Sequence, residues 1–443
     1  MKTFRLLSLG VAIGAALAVP ARAQSLVNLY ESARGYDASY QSAKSQYDAT
    51  LAKAEQAKAA ILPTANLNVG LSRSIQDVTP DIGPASNRAY GTESATVSAS
   101  QPLYRPANWL GYKQGLKQID LAQAQLASAE QDLIVRVSQG YFDVLASLDN
   151  LTFVKAQEAA VAEQLAAAKR NFEVGTSTIT DTREAQARFD LVIAQEIAAE
   201  NDLRVKKIAL DQLVGKADAE PKALVQPLAL PAPAPADVTS WVAQSQGAHP
   251  IIRQAQIALD IAQLETRKAQ AGHKPTLDLS ASYSMINNQD GSSAVSMGSR
   301  VNAGSINLSF NVPLFAGFST QNRIRETLAL EDKARNDLEG ATRAVAQGTR
   351  TAYFGVVSGL GQVHALEAAQ ASSQSALDAN KLGYQVGVRI NIDVLNSQSQ
   401  LFDTKAKLAK ARYDVLLGGL KLRQANGTLT AQDLQSVNAL LLK

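Results

Sequence analysis

The chain contains no cysteine. That absence excludes a disulfide framework, a thiolate metal site, a cysteine nucleophile and a lipid-modified N-terminal cysteine, so any membrane attachment has to come from the fold itself. Histidine is nearly as scarce. His249, His273 and His364 lie far apart without metal-ligand spacing, and the first two, beside Pro250 and before a strand, read as structural. No phosphate-binding loop or nucleophile elbow occurs. The expectation is a protein that is not an enzyme and holds no cofactor. An excess of one charge is also missing. The formal charge is +3, and Lys2, Arg5 and Arg22 account for it within a first segment that holds no acid. The remainder is neutral and mixed, which gives no basic face for nucleic acid. After that segment no apolar run reaches the roughly 18 residues of a transmembrane helix.

The opening itself has a basic start, an apolar run from Leu6 to Val19, and Ala21-Arg22-Ala23. This is the pattern of a secretory signal over residues 1–23, with the mature chain starting near Gln24.

The rest of the chain says nearly the same thing twice. Pro63-Thr64 recurs as Pro275-Thr276, Tyr141-Phe142 as Tyr353-Phe354, Phe172-Glu173-Val174-Gly175 as Tyr384-Gln385-Val386-Gly387, Asp181 as Asp393 and Gly215 as Gly427, all offset by 212. One ancestral unit has been duplicated with little insertion. The expected organisation is a first repeat over 24–226, a Pro-rich crossing over 227–238, a second repeat over 239–427, and a tail over 428–443.

Each repeat carries a strand pair. Ala65, Leu67, Val69 and Leu71 alternate with polar residues, and the return segment Ser94–Gln101 repeats the pattern more weakly. In the second repeat Leu277, Leu279, Ala281 and Tyr283 alternate with Asp278, Ser280, Ser282 and Ser284, and Ile306, Leu308, Phe310 and Val312 with Ser305, Asn307, Ser309 and Asn311. A period of two with one apolar and one polar face is a half-buried strand. Alternation alone fits either a soluble sheet with one wet face or a membrane barrel with lipid on the apolar side. The expected strand length of about 9–11 residues suits a tilted crossing, and the export signal and uncharged polar rows favour the membrane. Four strands cannot close a barrel and an open edge does not persist in lipid, so spanning strands require several chains to pool them.

Long helical segments follow the strands. Pro106–Val174 and Phe318–Val386 each extend over about 70 residues, on the order of 100 Å of helix. Gly140, Gly348, Gly355 and Gly359 are weak points within them. Each segment ends at a Val-Gly turn, Gly175 or Gly387, and returns as a second helix, Asp181–Val214 or Asp393–Ala425. Shorter helices over Leu26–Ala60 and Thr239–Ala271 precede the strands. Such lengths indicate coiled-coil packing.

The run Gly383-Tyr384-Gln385-Val386-Gly387-Val388-Arg389-Ile390-Asn391-Ile392-Asp393 resembles the periplasmic-tip signature of the TolC family, as does Val174–Asp181 in the first repeat; Gly427–Leu434 agrees as well. The resemblance covers essentially all of the mature chain. It implies a mixed α and β membrane protein. Four strands per chain would join a shared 12-stranded trimeric β-barrel that continues into a periplasmic α-helical barrel. The implied role is a passive exit duct opened at its tip by a periplasmic adaptor and an inner-membrane pump of the ABC, RND or MFS type, exporting proteins, drugs or both. It implies a gate of Thr180 and Asp181 on the outer hairpin facing Tyr384 and Arg389 on a neighbouring inner hairpin, and an acidic entrance ring of Asp393. Asn396 stands where the family often has a second acid. The rival reading is an adaptor or surface stalk without a pore, which leaves the strand pairs unexplained.

Overall fold

A computed structural model describes residues 24–225, 229–291 and 297–442. The signal segment and Pro227-Leu228 of the crossing lie outside the described residues. The chain forms two compact units that cut across the sequence repeats. One takes Ala127–Pro250, Arg343–Lys443 and the chain up to Ala43; the other takes Lys44–Leu126 and Ile251–Thr342. Each unit draws on both repeats.

The second unit holds the sheet. Strands β1 (Thr64–Val78), β2 (Ser86–Tyr104), β3 (Thr276–Asn288) and β4 (Ser299–Asn311) pair antiparallel in the order β1-β2-β3-β4. They are 15, 19, 13 and 13 residues long, longer than expected. The ladder explains the difference. Pairing continues from Thr64↔Ser100 out to Val78↔Ser86, and each added residue satisfies backbone groups whether or not the side chains still alternate cleanly. Register puts like with like. Leu67 lies beside Val97 and Val97 beside Tyr283, while Leu279 faces Leu308 and Leu277 faces Phe310. Most of this face is uncovered, with Leu67 68% and Ile306 82% exposed, and toward the loop ends its row Leu71, Glu93, Asn287 and Arg300 turns polar and charged. The opposite face is polar and nearly uncharged, with Asn66, Ser98, Ser282 and Ser305 in one row and the hydroxyls of Ser282 and Ser305 2.9 Å apart. Near Pro102, which has no N–H to give the ladder, the β2–β3 register shifts. At the same end Arg105 clamps Asp278 with two bonds of 2.7 Å.

The first unit is helical. The expected helix Leu26–Ala60 is two helices, α1 (Leu26–Tyr36) and α2 (Ala38–Ala59). Asp37 makes the break by accepting from the Tyr40 amide at 2.8 Å, and Arg136 holds it there with two further 2.8 Å bonds. The expected helix Thr239–Ala271 likewise splits into α5 (Val238–Ala248) and α6 (Pro250–Gln270) at His249, because proline disfavours helix at the residue before it. These breaks are repeat equivalents, and each meets a repeat-equivalent glycine at the end of a return helix. A Cβ on Gly215 would stand 2.4 Å from the Tyr36 ring, and one on Gly427 2.3 Å from the His249 backbone.

Helix α3 (Pro106–Glu173) and helix α7 (Ser319–Gln385) run unbroken through their glycines, and α4 (Ile179–Val214) and α8 (Asn391–Ala425) return from them. Tyr141 donates its hydroxyl to the Lys222 carbonyl at 2.9 Å, and its equivalent Tyr353 donates to the Ala236 carbonyl. Tyr141 thereby pins the segment that leaves the first repeat, and Tyr353 the crossing that enters the second. The tail carries α9 (Asp433–Asn438) and pairs Leu441 with Leu224. Among the described residues no helix is long and apolar enough to cross a membrane.

Candidate functional site

The candidate site is the pair of turns where α3 passes into α4 and α7 into α8. Both turns are built alike at the helix end. Gly175 and Gly387 have φ of 78°, the left-handed conformation that glycine adopts without strain. Thr176 N donates to Asn171 O and Val388 N to Gly383 O, at 2.8 and 2.9 Å, with the inner bonds Gly175 to Phe172 and Gly387 to Tyr384 alongside. This double bonding satisfies carbonyls that a helix end otherwise leaves open.

The expected gate residues fall into separate local arrangements within one chain. Asp181 closes a capping box at the start of α4. Its carboxylate accepts from the Ser177 hydroxyl at 2.7 Å and from the Thr178 amide and hydroxyl at 3.0 and 2.9 Å. Partial burial pushes this carboxyl up, but the three donors outweigh it and hold the group below the usual carboxylate range. Thr180, one residue before, is exposed. Tyr384 is half-buried against Leu377, Val394 and Leu401, and its hydroxyl accepts from the Asn171 side chain at 3.2 Å. Arg389 is exposed and lies 3.6 Å from Asp393, one turn along. Among the described residues of one chain, no bond joins Tyr384 or Arg389 to Thr180 or Asp181.

The contacts of several tip residues escaped the sequence reading. Asn391, the first residue of α8, is completely buried. Its amide donates to the Asp181 carbonyl at 3.4 Å, and its oxygen accepts from Gln164 of α3. Asn396 accepts from Arg188 of α4 at 2.8 Å, and Gln157 donates to Ser399 at 3.2 Å. The one sequence signal for Asn391 is a lone amide inside the apolar run Val388, Ile390, Ile392, Val394. Beneath these bonds Leu395 joins Val161, Leu165, Ala168, Ala185 and Val192 in a shared core, so α8 packs into the α3–α4 hairpin. Farther along, α3, α4 and α8 border grooves of about 500 and 410 Å³. Tyr413 donates to Asp149 there at 2.7 Å and stacks on Phe142. Burial nevertheless pushes the Asp149 carboxyl up.

The model of the outer membrane efflux protein family matches residues 29–216 and again 241–428, at the same 212-residue offset as the internal repeat. The chain belongs to the outer membrane efflux protein family. The chain is 34% identical to the outer membrane protein TolC of Vibrio cholerae over 94% of each sequence. It is 30% identical to the alkaline protease secretion protein AprF of Pseudomonas aeruginosa, over 94% of this chain and 87% of the relative. Among solved structures the fold is shared with CusC (TM-score 0.78, 18% identity, 91% of this chain and 92% of that one) and with VceC of Vibrio cholerae (TM-score 0.77, 18% identity, 91% and 96%). The protein is an outer membrane exit duct for efflux and secretion, as the TolC-family tip signature implies. The family is one of channels, which replaces the adaptor or stalk reading.

Proposed function

We propose that three copies of this efflux-family chain pool their sheets into one 12-stranded outer-membrane barrel that continues into a helical duct, closed at the α3–α4 and α7–α8 turns. The observation that carries this is the sheet. Among the described residues it has four strands, two unpaired edges, an exposed face that is apolar from Leu277 to Met285 and across to Leu67 and Ile306, and a polar, nearly uncharged back. Lipid on the apolar face and a neighbouring copy on each edge account for all of these at once.

In the closed duct, Arg389 and Tyr384 of one chain face Thr180 and Asp181 of its neighbour. Asp181 suits this role because it stays ionised while its own turn uses only part of its accepting capacity. Exposed pairs of this kind are worth about 0–1 kcal/mol each, so a threefold set closes the duct and still lets it open. Gly175 and Gly387 shape the turns. Asp393 forms the acidic ring at the entrance. Asn396, engaged with Arg188, contributes no second ring, so block by polyvalent cations is weak.

Channels of this type work with an adaptor and an inner-membrane pump; the grooves beside α8 offer the adaptor's hairpins a seat, and the pump is of the ABC, RND or MFS class. The names of relatives support both cargo classes, protease secretion at 30% and 28% identity and efflux at 27%. Residues 1–23 direct export, 24–226 and 239–427 are the two repeats, and the described parts of the crossing and tail, 229–238 and 428–442, form a belt around the helices.

The test is single-channel conductance of the mature protein in a planar bilayer, beside a Tyr384→Phe, Arg389→Ser variant. Small cation-preferring currents that become large in the variant are expected. Equal, wide-open currents in both refute the gate, and no current from folded protein refutes the pooled barrel.

A further inference from the structure

The two tip turns are copies, yet they are stabilised differently. The outer turn carries its own cap, with Thr178 and Asp181 bonded reciprocally. At the equivalent places the inner turn has Ile390, which makes no side-chain cap, and Asp393, which turns aside to Arg389. The residue after the cap differs as well. Position 179 is isoleucine and about half exposed, whereas position 391 is asparagine and 0% exposed. The inner turn thus lacks a side-chain cap and has a buried amide beside it instead.

That amide reaches across to the outer hairpin. Asn391 bonds the Asp181 carbonyl and the Gln164 side chain, and Leu395 one turn on lies in the outer hairpin's core. A buried amide deprived of its partner is costly, more so than an exposed one. Moving the inner turn away from the outer one orphans Asn391 unless water reaches it.

We propose that Asn391 is a positioning residue of the gate: with Gln164 it latches the uncapped inner turn to the self-capped outer turn of the same chain, and so sets how readily the inner turn moves. The proposal rests on the reading of the tip as a gate. It acts within each chain, separately from the contacts of Arg389 with a neighbour.

The test is single-channel recording on the full-length mature protein with four variants. Asn391→Ile copies the residue of the outer turn, and Gln164→Leu removes the partner. The double variant and the exchanged pair Asn391→Gln, Gln164→Asn complete the set. Each single variant is expected to raise the fraction of time in the large-conductance state about tenfold, as loss of one buried amide pair predicts. The double variant should do no more than either single one, since both remove the same interaction. The exchanged pair should return toward the parent behaviour, which a merely structural role would not produce. Far-UV circular dichroism of each variant establishes that it is folded. The latch is refuted if both single variants gate like the parent while Arg389→Ser widens the current, an outcome that leaves the duct reading intact. It is equally refuted if the two effects multiply in the double variant. Absence of current in the parent and in every folded variant overturns the duct, and the latch with it.

Discussion

Ile306→Arg tests the assignment of lipid to the apolar face. Its row in the sheet runs through Ala65, Ala99, Ala281 and Ile306. On β3 the apolar positions extend from Leu277 to Met285, about 27 Å of strand at 3.4 Å per residue. Tilted by about 40°, that is close to 20 Å along the bilayer normal, against an apolar band of about 25 Å in such barrels. Ala281 is the midpoint, so its partner Ile306 sits at mid-depth. Arginine on the lipid face at that depth costs about 2–4 kcal/mol, on the order of a hundredfold in the folding equilibrium of each chain. Asn307→Arg, one residue along and on the opposite face, meets a wet lumen and is expected to cost under about 0.5 kcal/mol. The assay is urea unfolding of the protein folded into lipid vesicles, with the amount recovered in the outer membrane as the cellular readout. Ile306→Arg should fold poorly or not at all. Asn307→Arg should fold normally and shift ion preference toward anions. Equal losses in both variants, or a greater loss in Asn307→Arg, would refute the assignment of faces.

Two further outcomes follow from the helical unit. Gly427→Ala should destabilise the protein by about 2–4 kcal/mol, since it combines left-handed strain with a 2.3 Å approach to the His249 backbone; thermal unfolding in detergent followed by circular dichroism measures it. The Arg136 guanidinium, opposed by burial, holds the Asp37 carboxyl below the usual range. Its stabilising effect is therefore present above the unfolded carboxyl's pKa and lost as pH falls through the folded one. Asp37→Asn should cost about 2 kcal/mol at pH 7, a value discounted because Arg136 remains 41% exposed, and the gap to the parent should begin to close below about pH 5 and go on closing as pH falls past the usual carboxyl range.

Periodicity made much of this protein legible. The offset of 212, the alternation around Leu67 and Leu308, and the Val-Gly turns identified the repeat, the strand pairs and the hairpins, because each is a local pattern that reports a face or a turn. Strand length was less legible. Ladder bonds extend β2 to 19 residues even where its alternation lapses, and those bonds belong to a partner far along the chain. The helix break at Asp37 was hidden for a similar reason, because the ion pair that secures it comes from Arg136.

The tip divides the same way. Residue types alone showed which turns need glycine and which tip residues carry charge. Only the tertiary structure decided that Tyr384 rests on Asn171, that Asn396 is engaged by Arg188, and that Asn391 is buried against Gln164. A glycine turn is closed within a few residues and is written in the chain. A buried amide is stable only where a distant helix brings its partner, and no local pattern in the sequence records that meeting.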